Sequence, residues 1–176
     1  MIRVVLTGSE STGKTTLAGQ LSRHFGAPLI PEFVRDYVAR KAAPVSFGDH
    51  GPIARGQMAL EDVHAESTQP LAVQDTDLLS TVVYCEHYFG TCPAWIVDEA
   101  AARRPDLYLL CEIDVPWIAD DVRDRGHMRD EMQALFRAAV GTTGVPTAAI
   151  TGNWDERFQR AVDAIDSLLL TVPPSA

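Results

Sequence analysis

The stretch Gly8-Ser9-Glu10-Ser11-Thr12-Gly13-Lys14-Thr15 fits GxxxxGK[ST] at every fixed position. It lies between a short β-branched run, Ile2 to Leu6, and a segment that sets Leu17, Leu21 and Phe25 four apart on one helical face. A strand feeding through a glycine loop into a helix constrains the fold more than any other feature of the chain. The glycines let the backbone wrap so that successive amides and the helix N-terminus face the oxygens of an anion. The loop predicts a nucleoside triphosphate site, with Gly8, Ser11, Thr12, Gly13, Lys14, Thr15 and Thr16 around the phosphates. Lys14 is expected to reach the β- and γ-phosphates as a catalytic point charge, and the Thr15 hydroxyl to ligate Mg²⁺.

A site built from backbone amides needs no net positive charge, which matters because this chain carries 15 basic against 24 acidic residues, a balance of −9. That balance opposes a broad phosphate-backbone footprint, so nucleic acid is not an expected partner. Only two of the basic residues, Lys14 and Lys41, are lysines, so a lysine inside a motif is unlike a compositional accident. The three cysteines, Cys85, Cys92 and Cys111, have no CxxC spacing, and no cationic-then-apolar leader opens the chain; a reducing cytoplasm is expected. The cysteines read as small buried hydrophobes. Apolar runs such as Ile2 to Leu6 fall far short of the ~20 residues needed to span a bilayer, so no membrane segment is expected.

Beyond the loop the pattern alternates strand and helix. Ala27 to Pro31 reads as a second strand, followed by a helix through Phe33, Val34, Tyr37 and Val38. After a breaker-rich connection from Pro44 to Pro52, Ile53, Leu60 and Val63 suit a long helix, and Leu71 to Asp75 a third strand. Leu78, Leu79, Val82 and Val83 mark another helix face, and Trp95 to Ala102 a short one. Leu107 to Ile113 is nearly continuous in apolar residues, the mark of a parallel strand covered on both faces and the candidate for the sheet centre. A polar insert from Pro116 to Arg129 precedes a helix from Met132 to Val140; Thr147 to Ile150 gives a fifth strand and Phe158, Val162, Ile165 and Leu169 a closing helix. The expectation is one α/β domain over residues 1–172 with a parallel sheet flanked by helices, a lid insert, and a short tail at 173–176.

Ligands of open parallel sheets collect at the carboxyl ends of the strands, where Glu32, Asp75 and Asp77 are expected. Phosphoryl transfer needs an acid on the metal side and a group that accepts or orients the proton of the attacking hydroxyl. Asp75, ending an apolar strand, fits the metal role; Glu32 and Asp77 are candidates to hold a sugar hydroxyl, with Glu32 as base. The competing reading of Asp75-Thr76-Asp77 is an Asx turn capping the next helix, and capping and metal binding can coexist. In the insert, Arg123, Arg125 and Arg129 could close onto the phosphates; Arg123 is the catalytic candidate and Arg125 a nucleotide contact, although spacing alone does not separate them. Trp117 and Trp154 could stack on planar rings or pack at the rim. The five histidines show no ligand spacing and read as surface or helix residues.

Taken in order, these segments resemble the ribosylnicotinamide (nicotinamide riboside) kinase domain of NadR-like bacterial proteins. The resemblance runs through the phosphate loop, Glu32-Phe33-Val34-Arg35-Asp36-Tyr37, Gly56-Gln57, Asp75-Thr76-Asp77, Asp106 to Leu110, Asp114-Val115-Pro116-Trp117 with Asp121 and Arg123, and Ile150-Thr151-Gly152. The loop alone serves many functions; the ordered set is far more specific. Membership implies the P-loop kinase fold with strand order 2-3-1-4-5, and transfer of the γ-phosphate of ATP to the ribose 5′-hydroxyl of nicotinamide riboside. It further implies substrate contacts at Glu32, Arg35, Tyr37, Asp77 and Trp117, and a nucleotide contact at Gly152. With strand one starting at Ile2 and no HxGH motif, a stand-alone kinase is expected, without repressor or adenylyltransferase activity. The alternatives are a kinase for another nucleoside or vitamin alcohol, and a triphosphatase or nucleotide switch in which water is the attacker.

Overall fold

Five parallel strands form the sheet: β1 (Ile2–Thr7), β2 (Leu29–Ile30), β3 (Leu71–Asp75), β4 (Leu107–Cys111) and β5 (Thr147–Ile150). Their spatial order is β2-β3-β1-β4-β5, the order expected of a P-loop kinase. The structure is a computed structural model and describes residues 1–115 and 128–171; Trp117, Arg123, Arg125 and the tail lie outside the described residues. Seven helices are described: α1 (Lys14–Phe25), α2 (Phe33–Lys41), α3 (His50–Ala65), α4 (Leu78–Phe89), α5 (Ala94–Ala102), α6 (Arg129–Thr143) and α7 (Trp154–Thr171). No helix among the described residues is long and apolar enough to cross a membrane.

Strand alternation divides the core between two faces. Val4, Leu6, Val73, Leu107, Leu109 and Cys111 point to the side covered by α1 and α7, where Leu17, Leu21, Val162 and Ile165 meet them. Val5 and Tyr108 point to the other side, against Val140 of α6, and Leu110 joins Val83 of α4 with Met132 and Phe136 of α6. Because both faces are covered, β3 and β4 are buried at every residue, as a continuous apolar run requires.

Several expectations are corrected by this arrangement. The central strand is β1, paired with β3 on one side and β4 on the other, whereas the more apolar β4 stands one place outward. Burial on two faces is common to all inner strands, so apolarity does not rank them. β4 ends at Cys111 instead of Ile113, and β2 keeps only two paired residues, Leu29 with Val73 and Ile30 with Gln74. In α3 the buried positions are His50, Ile53, Ala54, Gln57 and Glu61, while Val63 is 70% exposed. His50 is a helix residue, one of the two placements expected of the histidines, and it is buried, its Nδ1 3.1 Å from the Ser46 carbonyl. Arg129 opens α6 instead of belonging to a loop.

Candidate active site

All strands being parallel, the ends of β1, β2, β3, β4 and β5 bring the phosphate loop, Glu32, Asp75, Glu112 and Gly152 to the same edge of the sheet. The loop leaves β1 with Gly8 at φ 126°, where a Cβ would sit 2.6 Å from the Cys111 carbonyl oxygen, and enters α1 through Gly13 at φ 79°. Ser11 between them is also left-handed, at φ 54°. Lys14 folds back over this curve, its Nζ donating to the carbonyls of Gly8 at 2.9 Å and Ser9 at 2.6 Å. Thr12 is buried, its hydroxyl donating to Ser9 O, and Thr16 is exposed in the first turn of α1.

Three expected residues form a chain of hydrogen bonds. Arg35 Nη2 donates to Thr15 Oγ1 at 3.2 Å and its Nε donates to Glu32 Oε2 at 3.2 Å. Glu32 Oε1 is 3.5 Å from the Thr76 hydroxyl, a contact at the limit of a hydrogen bond. Glu32 stands at the N-cap of α2, and the α2 start is held by Gln57, whose Oε1 accepts from the Phe33 amide at 2.9 Å. Gly56 beside it presses on the Phe33 ring, which leaves no room for a side chain there. The resemblance motif Gly56-Gln57 thus acts by seating Glu32 from the neighbouring helix.

The β3–α4 turn carries the acids. Asp75 is 3% exposed and its Oδ1 has no hydrogen-bond partner among the described residues. Thr76 adopts φ 59°, costly for a β-branched residue, and is held there by its amide to Leu6 O and by Gln74 Nε2 donating to its carbonyl at 2.8 Å. The same Gln74 amide donates to Glu61 Oε1, tying the turn to α3. Asp77 is the N-cap of α4, accepting from the Leu79 amide, and its second oxygen accepts from the Tyr108 phenol at 2.7 Å. Burial raises the Asp77 carboxyl to about 6 against the opposing effect of Tyr108. Of the two readings of Asp75-Thr76-Asp77, capping therefore describes Asp77, and Asp75 is left with an unpaired oxygen.

Tyr37 is not part of the Thr15–Arg35–Glu32 chain. Its phenol donates to Asp49 Oδ1 at 2.7 Å, and with Phe33, Arg40, Lys41 and Pro52 it lines an open depression of about 480 Å³. Gly152 lies at the end of β5, its amide donating to Asp114 Oδ2 at 2.6 Å. Trp154 is 52% exposed and its ring covers Gly13.

Two buried polar residues behind the loop escape a reading of the sequence. Gln133 of α6 accepts from the Ser9 amide at 2.9 Å and donates to Glu112, while Arg157 of α7 is 1% exposed and surrounded by carbonyls. Each lies on a buried stripe of its helix, Arg157 in step with Ala161 and Ile165. A polar residue on an otherwise apolar stripe is the signal the sequence offers for both. Cys111 sits among Lys14, Arg157, Asp75 and Glu112, and burial pushes its thiol up to about 11.

Among the described residues no cluster of three or more His, Cys, Asp or Glu could hold a metal by itself. A magnesium ion in such a site keeps several waters and takes one or two protein ligands along with substrate phosphates. The unpaired Asp75 oxygen and the Thr15 hydroxyl fit that sparse donor set.

A family model described as "AAA domain" matches residues 3–157. The trifunctional NAD biosynthesis/regulator protein NadR of Escherichia coli K12 is 28% identical over 173 residues, covering 94% of this chain and 42% of that protein. A crystal structure of NadR protein in complex with NR superposes with a TM-score of 0.79 at 23% identity, over 99% of this chain and 51% of that one. A second, in complex with NAD and AMP-PNP, gives 0.74 at 24% identity over the same shares. The chain therefore spans about half the length of the relatives it matches, and the expected similarity to NadR is found.

Proposed function

From the premise that this chain belongs to the AAA domain family of P-loop proteins, we propose that it is an ATP-dependent kinase of a nucleoside-like alcohol, transferring the γ-phosphate to the ribose 5′-hydroxyl of nicotinamide riboside to give nicotinamide mononucleotide. The observation that carries this reading is the Arg35 bridge, which joins the Thr15 hydroxyl at the phosphate loop to the Glu32 carboxylate at the end of β2. The bridge holds a carboxylate beside the phosphate loop, where it can meet an attacking hydroxyl, and the similarity to NadR supports reading that hydroxyl as a second substrate's in place of water. We place the reaction in the cytoplasm, in keeping with three unpaired cysteines.

In this mechanism the loop amides and the N-terminus of α1 hold the donor phosphates, and Lys14 exchanges its carbonyl partners for phosphate oxygens. Glu32 Oε1, held among the described residues by the long contact to Thr76, turns to the acceptor hydroxyl and takes its proton as the hydroxyl oxygen bonds to the γ-phosphorus and the bond to the bridging oxygen breaks, leaving ADP. Arg35 keeps the other Glu32 oxygen in register with Thr15. Thr15 and Asp75 would hold Mg²⁺, which when bound neutralises charge on the β- and γ-phosphate oxygens. Arg123, Arg125 and Trp117 remain assigned to the transferring phosphate, the nucleotide and the acceptor ring from the sequence.

The test is ADP release by the purified protein with Mg-ATP and nicotinamide riboside, uridine, thiamine or no acceptor, with mass spectrometry of the products. A phosphate on nicotinamide riboside is the expected result. ADP release indifferent to every acceptor would discard the kinase reading and leave a triphosphatase or switch.

A further inference from the structure

Two consecutive carbonyls of the phosphate loop are each gripped by a guanidinium from outside the loop. Arg129 Nη2 donates to Ser11 O at 3.0 Å, and Arg157 Nη2 donates to Thr12 O at 3.3 Å. A trans peptide is planar, with its C=O and N–H pointing in opposite directions. Holding Ser11 O therefore sets the direction of the Thr12 N–H, and holding Thr12 O sets that of the Gly13 N–H. These are the amides where the loop turns into α1, between left-handed Ser11 and Gly13, the curvature that makes an anion-binding nest.

Neither guanidinium is free to follow the loop. Arg157 Nη1 also donates to Glu112 O at 3.2 Å, Ile150 O at 3.1 Å and Asp114 Oδ1 at 2.8 Å, and its Nη2 donates to Glu112 O at 2.7 Å. Its plane is thus fixed by the ends of β4 and β5. Arg129 Nη1 donates to Val115 O at 2.9 Å, in the segment that follows β4. The loop is referenced to the ends of β4 and β5 through Arg157 and to the segment after β4 through Arg129, a task a single ammonium cannot perform because it lacks the planar set of donors.

We propose that Arg157 and Arg129 are positioning residues for the donor phosphates: by gripping the Thr12 and Ser11 carbonyls they aim the Gly13 and Thr12 amides at the anion. This deepens the kinase reading and rests on it for the identity of the donor, though the amide geometry concerns any polyphosphate on the loop.

The experiment compares the native protein with Arg157→Lys and Arg129→Lys. It uses calorimetric titration with inorganic tripolyphosphate and ADP, thermal melts, and steady-state KM for ATP and for nicotinamide riboside. Expected is a cooperative melt with tripolyphosphate and ADP each bound about tenfold more weakly, the size set by losing about one well-placed hydrogen bond. KM for ATP should rise alike while that for the acceptor stays within about twofold. A role confined to stability would lower the melting temperature and the active fraction yet leave the affinity of the folded protein unchanged; affinities within about twofold of native would overturn the proposal. If Arg157→Lys does not melt cooperatively, the half-buried Arg129 decides through Ser11 by the same criterion. Failure of the kinase reading would show separately, as native protein whose ADP release ignores every acceptor while tripolyphosphate binding still responds to both substitutions.

Discussion

The indole of Trp154 occupies the space into which any side chain on Gly13 would project, its Cζ3 atom 2.5 Å from the position of a Cβ there. Two separate restraints thus act on Gly13, the ring above it and its own left-handed φ of 79°. They can be separated by experiment.

Gly13→Ala should weaken ADP binding through both restraints, the backbone part alone being about 1–2 kcal/mol. In a Trp154→Ala background the steric part disappears and the backbone part stays, so the substitution should be milder there yet still roughly tenfold in affinity. Calorimetric titration of the four proteins with ADP closes the cycle. Equal losses in the two backgrounds would show that the ring does not limit the position.

Glu32→Gln keeps one oxygen for Arg35 and turns its NH₂ to the Thr76 hydroxyl, which can accept from it, but removes the proton acceptor. The expected outcome is a fall in kcat of about 10²–10⁴-fold with KM for ATP within about twofold. A rise in KM for ATP with kcat preserved would move Glu32 to the nucleotide side of the cleft.

Asp75 is buried with one oxygen unpaired, which suits a ligand that arrives with the nucleotide. Asp75→Asn should raise the Mg²⁺ concentration for half-maximal rate by about tenfold or more while ADP binding without metal changes little. An unaltered Mg²⁺ titration would transfer the metal role to another acid.

How much of this was legible in the sequence follows from which interactions are local. The loop, the strand-helix alternation and the placement of Glu32 and Asp75 depend on neighbouring residues or on period, and the strand Leu71–Asp75 has the expected bounds. The identity of the central strand does not, because β1 and β4 are both apolar and only the pairing of β1 with two neighbours distinguishes them. Gln57, Gln133 and Arg157 act across 24, 124 and 145 residues of chain, on Phe33, Ser9 and Thr12 respectively. Gln57 stands out through the Gly56-Gln57 part of the resemblance, whereas the local signal of Gln133 and Arg157 is a polar residue on an apolar stripe, and amphipathic helices are ordinarily read by their apolar members. Asp77 gave the opposite difficulty: its type fitted both a cap and a sugar contact, and only the buried phenol of Tyr108 shows its second oxygen already engaged.

The Asp77–Tyr108 pair also sets a pH dependence of stability. Burial raises the Asp77 carboxyl from its ordinary 3.8 to about 6 in the folded protein. Between these values the folded state holds a proton that the unfolded state has lost, so the contribution of Asp77 falls as pH rises through that window. It is most favourable below about pH 4 and flattens above about pH 6, where both states are ionised. Asp77→Asn keeps one oxygen for the Leu79 amide, turns its NH₂ to the Tyr108 hydroxyl, which can accept from it, and cannot ionise. Measured by urea unfolding, the native protein should therefore lose stability relative to Asp77→Asn between pH 4 and pH 6, by on the order of 2 to 3 kcal/mol. The variant would gain on the native protein as the solution becomes neutral. A difference between the two proteins that is constant across this range would mean that Asp77 titrates normally, and that the buried oxygen facing Tyr108 is solvated in the folded state.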